Sequence, residues 1–227
     1  MSDVTPPTPV ARFSAELIGT LLITLTMVLG RLVAGSALET TVLLAAVWGI
    51  ALLLLGRWSD QFNPVVTVWK LLTRQINALG AVVALVGQLA GAFLGVLAIK
   101  PVLDALQVPG SAVMPQVNYS IANHPSIGWI VVLAEGLSAL FILIGYLLAK
   151  QNKEADKLPT YVGLGVIPAF LVSGVLSGAV LNFASLLAVM GVYKEKLGYW
   201  WGYMVGPLLA VIVVSLIMMA LTPRRSK

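Results

Sequence analysis

The chain has 227 residues, 59% hydrophobic and 10% charged, with a formal net charge of +5 and a mean hydropathy of +0.97. A water-soluble domain of this size has too little interior to hide so much apolar side chain, so the composition points to a bilayer as solvent. There is no cysteine and one histidine, His124, in a polar segment, which excludes disulfide and thiolate chemistry and argues against a metal site or a histidine relay.

The opening MSDVTPPTPV has neither a basic n-region nor a small-residue cleavage pattern, and reads as a short tail rather than a signal peptide. Six long apolar segments follow, at 12–30, 40–56, 79–99, 127–149, 160–178 and 199–221. Each is near the ~20 residues that a helical span needs. A shorter apolar stretch, 63–72, follows the second span, and another, 182–191, follows the fifth. At roughly ten residues, or ~15 Å as helix, each crosses only half of the ~30 Å hydrocarbon core. The expected fold is an all-α membrane protein of six transmembrane helices plus two re-entrant half-helices.

Six crossings put both termini on one side. The segments on that side hold Arg12, Arg57, Lys70, Arg74, Lys150, Lys153, Lys157, Arg224, Arg225 and Lys227, and those on the other hold Arg31, Lys100, Lys194 and Lys196. This excess marks the terminal side as cytoplasmic in a multi-pass protein of the cell membrane. The basic residues border apolar spans and form no patch, so no nucleic-acid partner is expected. Arg224, Arg225 and Lys227 read as an anchor to anionic lipid, and Tyr199, Trp200 and Trp201 as interfacial anchors.

The chain repeats itself. Ala15-Glu16 recurs as Ala134-Glu135 (135 − 16 = 119), and Asn63 recurs as Asn182 (182 − 63 = 119). A single membrane domain over 1–227 is expected, with repeats at about 12–100 and 127–221 and tails at 1–11 and 222–227. Three spans per repeat is an odd number, so the second copy is inverted, and functional groups belong at the midplane between the copies. Asn is a preferred N-cap and Pro is favoured at the first helical position, so Asn63-Pro64 reads as the start of a half-helix. The two half-helices should enter from opposite faces and meet N-terminus to N-terminus, with positive dipole ends beside a polar path and the Asn amides free to donate hydrogen bonds. Such a centre suits a small neutral hydroxylic solute and disfavours a cation.

Glu16 and Glu135 are carboxylates within spans, which are costly unless paired. They read either as a proton-coupling pair or as acceptors for backbone N–H groups of the half-helix loops. Gly87, Gly91 and Gly95, and likewise Gly174 and Gly178, have the small-xxx-small spacing of close helix crossings.

The stretches AELIGT (15–20), FNPVVTVW (62–69), GQLAGAFLG (87–95), AEG (134–136), GAVLNFAS (178–185) and WGYMVGPLLA (201–210), in that order, resemble the major intrinsic proteins, the aquaporin and glycerol-facilitator family. The family's paired Asn-Pro-Ala boxes correspond to Asn63-Pro64-Val65 and Asn182-Phe183-Ala184 at the pore midplane. Phe183 replaces the family's Pro and should pack between the half-helix tips or lean into the pore. The resemblance places a selectivity filter at Leu44, Phe170, Ala179 and Ser185, with Ser185 where the family has arginine and Leu186 where glycerol facilitators have Asp. That filter is apolar and uncharged. It implies weak discrimination among small neutral solutes, with cation exclusion left to the half-helix dipoles and the cost of dehydration.

The resemblance also implies a homotetramer with one pore per subunit, passive conduction of water and small neutral solutes (glycerol-like, urea, ammonia), and Glu16 and Glu135 as structural carboxylates. No cofactor, metal or catalytic residue is expected, because no Ser/His, Asp/Asp or metal-ligand set falls at membrane depth. The rival readings are a proton-coupled transporter using Glu16 and Glu135, and a non-conducting scaffold plugged by Phe183.

Overall fold

In the computed structural model, residues 7–33, 37–117 and 119–221 are described. The first six residues and the Arg224, Arg225 and Lys227 anchor lie outside the described residues. The described chain forms ten α-helices: α1 (Pro9–Val33), α2 (Ala37–Leu55), α3 (Pro64–Leu72), α4 (Ala78–Ala105), α5 (Gly110–Val113), α6 (Tyr119–Ala122), α7 (Ile127–Gln151), α8 (Leu158–Ser177), α9 (Phe183–Tyr193) and α10 (Gly202–Leu221). A 3₁₀ turn, Ala155–Lys157, leads into α8.

Six of these are long and apolar enough to cross a membrane: α1, α2, α4, α7, α8 (with its 3₁₀ turn) and α10. They coincide with the six predicted spans and differ at the ends. The third reaches Ala105 because Pro101 is accommodated inside it. The sixth begins at Gly202 instead of 199, because Tyr199, Trp200 and Trp201 form a hydrogen-bonded turn ahead of it. The sequence pattern did not forecast α5 and α6. Each has four residues, too few to register as a periodic apolar segment.

Burial is distributed as a bilayer demands. Leu53, Val175 and Leu216 are exposed on the outer surface, while Glu16, Gln88 and Glu135 are buried. With apolar residues outside and polar groups inside, this is an integral multi-pass membrane protein.

Close helix crossings hold the bundle together. A Cβ on Gly91 would lie 2.2 Å from Leu17 O, so α1 and α4 touch backbone to backbone there. Gly87 and Gly95 face Phe13 O and Leu21 O along the same crossing. Its counterpart is the α7–α10 crossing, where a Cβ on Gly206 would lie 2.2 Å from Val132 O. Since 206 − 87 = 119, this glycine also follows the repeat offset. In lipid, such close approach supplies the dispersion contacts and weak hydrogen bonds that hydrophobic burial cannot.

The second proposed glycine ridge is different. The nearest atoms to a Cβ on Gly174 belong to Phe170 of its own helix. Gly178 is the left-handed C-cap of α8 (φ 73°), packed against Pro115. It ends a helix instead of letting two cross, as an αL cap at this position does.

Candidate functional site

The two half-helices α3 and α9 begin at Asn63 and Asn182, and both asparagines are almost fully buried. Each Oδ1 caps its own helix, accepting from Val65 N at 3.0 Å and from Ala184 N at 3.1 Å. Each Nδ2 reaches across to the other loop. Asn63 donates to Leu181 O at 2.7 Å, and Asn182 donates to Phe62 O at 2.8 Å. The tips are therefore tied together N-terminus to N-terminus by a reciprocal pair of side-chain bonds. The amides are less free than the sequence suggested, because one N–H of each is committed to the opposite carbonyl.

The loops entering the tips are held from behind by the intramembrane carboxylates. Glu16 accepts from Gln61 N (3.2 Å), Phe62 N (2.7 Å) and Gln88 Nε2 (2.7 Å), and also from Ser59 Oγ. Glu135 accepts from Val180 N (3.2 Å), Leu181 N (3.1 Å) and Ser177 Oγ (2.6 Å). Phe62 (φ 53°) and Leu181 (φ 54°) both adopt the left-handed conformation that non-glycine residues avoid. The strain is held on both sides: the N–H goes to the carboxylate of the same repeat, and the carbonyl goes to the asparagine of the other. Thr20 Oγ1 adds a second donor to Phe62 O at 3.3 Å. Irregular backbone at membrane depth must have every polar group met, and these two carboxylates meet the donors.

Three of the four sequence-derived filter residues, Leu44, Phe170 and Ala179, fall in one buried cluster with Val65 and Leu181. Ser185, the fourth, is fully buried. Its hydroxyl is 2.7 Å from Thr24 Oγ1 on α1, and Ala184 beside it packs with Met27, Val28 and Ala92. Pro64 occupies the first turn of α3.

The ring of Phe183 has an aromatic partner that the sequence did not suggest. It stacks on Trp200 (centroids 6.3 Å apart, planes at 25°) and borders a cluster of Val131, Val180, Leu186 and Tyr203. An aromatic pair of this kind contributes beyond the area that it buries.

On one side of the bundle, a cavity of about 270 Å³ is lined by Asp60, Trp69, Lys70, Tyr146, Lys150 and Lys153, among others. Lys70 pairs with Asp60 at 2.5 Å. Tyr146 Oη donates to the carbonyls of Asp60 (2.7 Å) and Gln61 (3.3 Å), closing the loop from that side.

Several participants were not singled out from the sequence: Thr20, Thr24, Gln88, Ser177, Tyr203 and Arg31. Arg31 entered only the charge count. Its guanidinium in fact contacts carbonyls of α5 and of the loop that enters α9, at Val113, Gly178 and Ala179. A lone arginine at the end of an apolar span was the available signal, since intramembrane cations are rare and need partners. No cluster of His, Cys, Asp or Glu suited to a metal ion occurs among the described residues.

Comparison with known proteins agrees with this geometry. The family model described as Major intrinsic protein matches residues 5–218. Among characterised relatives, Aquaporin-8 of Botryotinia fuckeliana (strain B05.10) is 25% identical over 158 residues, 68% of this chain. The match spans 46% of that relative, less than half of its length. Among solved structures, the aquaglyceroporin from Plasmodium falciparum superposes with a TM-score of 0.73 at 17% identity, covering 92% of this chain and 95% of that one. At that identity the likeness speaks for the fold alone. The match to the family model covers most of the length, and the chain belongs to the major intrinsic protein family.

Proposed function

We propose that the protein is a passive channel of the cell membrane for water and small neutral solutes, with one pore per subunit of a homotetramer and both termini in the cytoplasm. Residues 1–227 form one channel domain, built from the two inverted repeats at about 12–100 and 127–221. The observation that carries this reading is the reciprocal Asn63 and Asn182 bridge between half-helix tips. It sets two positive helix ends at one point, where an oxygen lone pair is welcome and a cation is not. Leu44, Phe170 and Ala179 form the apolar wall of the constriction, on which a solute's CH face rests.

Two observations weigh against the rivals. Glu16 and Glu135 spend their oxygens on backbone N–H and hydroxyl donors, which suits fixed acceptors better than proton carriers. The ring of Phe183 stacks on Trp200, which supports a ring held by that contact over a plug between the tips.

The test is stopped-flow light scattering on proteoliposomes, comparing water, glycerol, urea and ammonia. Water permeability well above protein-free vesicles is expected, with flux linear in the solute gradient and unaffected by an imposed pH gradient. Saturating, pH-driven flux would establish the transporter reading instead, and permeability equal to empty vesicles would establish the scaffold.

A further inference from the structure

Ser185, at the position following the second asparagine box, is fully buried and turned onto α1, with its hydroxyl 2.7 Å from Thr24. Seven residues beyond Thr24, two turns along the same helix face, stands Arg31. The guanidinium of Arg31 reaches the loop that leads into α9, the helix that carries Ser185.

Its half-buried guanidinium is held by three carbonyls from two segments. Nη1 donates to Val113 O at 2.8 Å, in α5, and Nη2 donates to Gly178 O at 3.1 Å and Ala179 O at 3.2 Å, in the loop that enters α9. All three acceptors are neutral. Glu135 acts on this cation electrostatically, but its oxygens are taken by Ser177, Val180 and Leu181, and among the described residues it forms no ion pair with Arg31. The guanidinium charge is therefore oriented, with no counter-ion in contact among the described residues.

We propose that Arg31 is the fixed cation of the constriction, supplied by the first helix in place of an arginine at position 185. This rests on the channel reading above. Ala179 is the point of contact between the guanidinium and the wall formed with Leu44 and Phe170. Five N–H donors in a rigid fork can hold three carbonyls and still present a donor to a passing oxygen. The charge raises the energy of any cation at that level, and the planar group narrows the passage for bulkier solutes.

The test measures stopped-flow water permeability together with potassium and proton leak, read by entrapped fluorescent dyes, in the same proteoliposomes. The proteins are the wild type, Arg31→Ser, Arg31→Gln, Arg31→Lys and the exchange variant Arg31→Ser/Ser185→Arg. The ratio of cation leak to water permeability should rise about tenfold or more in the Ser and Gln variants, as loss of a unit charge at short range in a low-dielectric passage requires. It should stay near the wild-type ratio in Arg31→Lys, and the exchange variant should restore it. Gln keeps an amide donor for the loop carbonyls, so it separates loss of charge from loss of loop support.

An unchanged ratio in an inserted Arg31→Gln protein overturns the proposal, as does an exchange variant that leaks like Arg31→Ser. If both neutral variants fail to insert, the exchange variant decides: insertion with wild-type exclusion supports the proposal, and failure to insert shows that the guanidinium serves only to hold the loops. Wild-type protein with no water permeability would instead overturn the channel reading itself.

Discussion

At the scale of single residues, the site depends on polar groups that each satisfy two segments at once. Asn63 and Asn182 cap their own helices through Oδ1 and tie the opposite loop through Nδ2. Phe183, one residue on, takes no part in this exchange and packs on Trp200. Proline suits the first helical position, and the extended backbone of Asn182 (φ −138°, ψ 106°) is of the kind that precedes it. Phe183→Pro is therefore expected to fold, with water permeability within about twofold of wild type. The variant should be less stable by roughly 1 kcal/mol for the lost ring stacking, read as a lower melting temperature in detergent. A rise of fivefold or more in flux, on the order of 1 kcal/mol in barrier height, would mean that the ring obstructs the passage after all.

At the scale of elements, glycines decide how closely the helices cross. A Cβ on Gly91 would fall 2.2 Å from a carbonyl of α1, and the helix backbones cannot yield as a side chain can. Gly198, in the loop before α10, has nothing within 4 Å of the same construction. Gly91→Ala should therefore cost about 1–3 kcal/mol or more, the usual range for overpacking, whereas Gly198→Ala should be close to neutral. Size-exclusion profiles and melting curves of the two purified variants in detergent check the contrast. Equal behaviour would mean that the α1–α4 crossing has slack.

At the scale of the whole molecule, the reading of orientation rests on the distribution of charge. The chain has no cysteine, so single cysteines can be placed without background. Asp156 and Lys196 are both exposed, in loops expected on opposite sides of the bilayer. Asp156→Cys should react with an impermeant maleimide only from the cytoplasmic side, and Lys196→Cys only from outside. Labelling of both from one side would refute the inverted arrangement, and a swapped pattern would refute the assigned orientation.

Much of this architecture could be read from the chain by itself. Span lengths follow from local hydropathy, and the repeat follows from two residue pairs at one offset, both one-dimensional properties. The half-helix starts were legible at Asn63-Pro64 and Asn182 because capping acts within three or four residues. The partners of those caps were not legible. Leu181 O and Phe62 O lie 118 and 120 residues from the amides that bind them, and no local pattern marks a backbone carbonyl as an acceptor. The direction of the Phe183 ring depended on where Trp200 came to rest. The hydroxyl partner of Ser185, Thr24 on α1, lies 161 residues away in the chain and was not legible either. Arg31 carried no motif and was visible only as a charge at a helix end. Its environment exists only once α5 and the loop before α9 close over that end. Spans and caps depend on residues close in the chain, while the lining of a passage depends on which distant segments meet, and that is decided by tertiary packing.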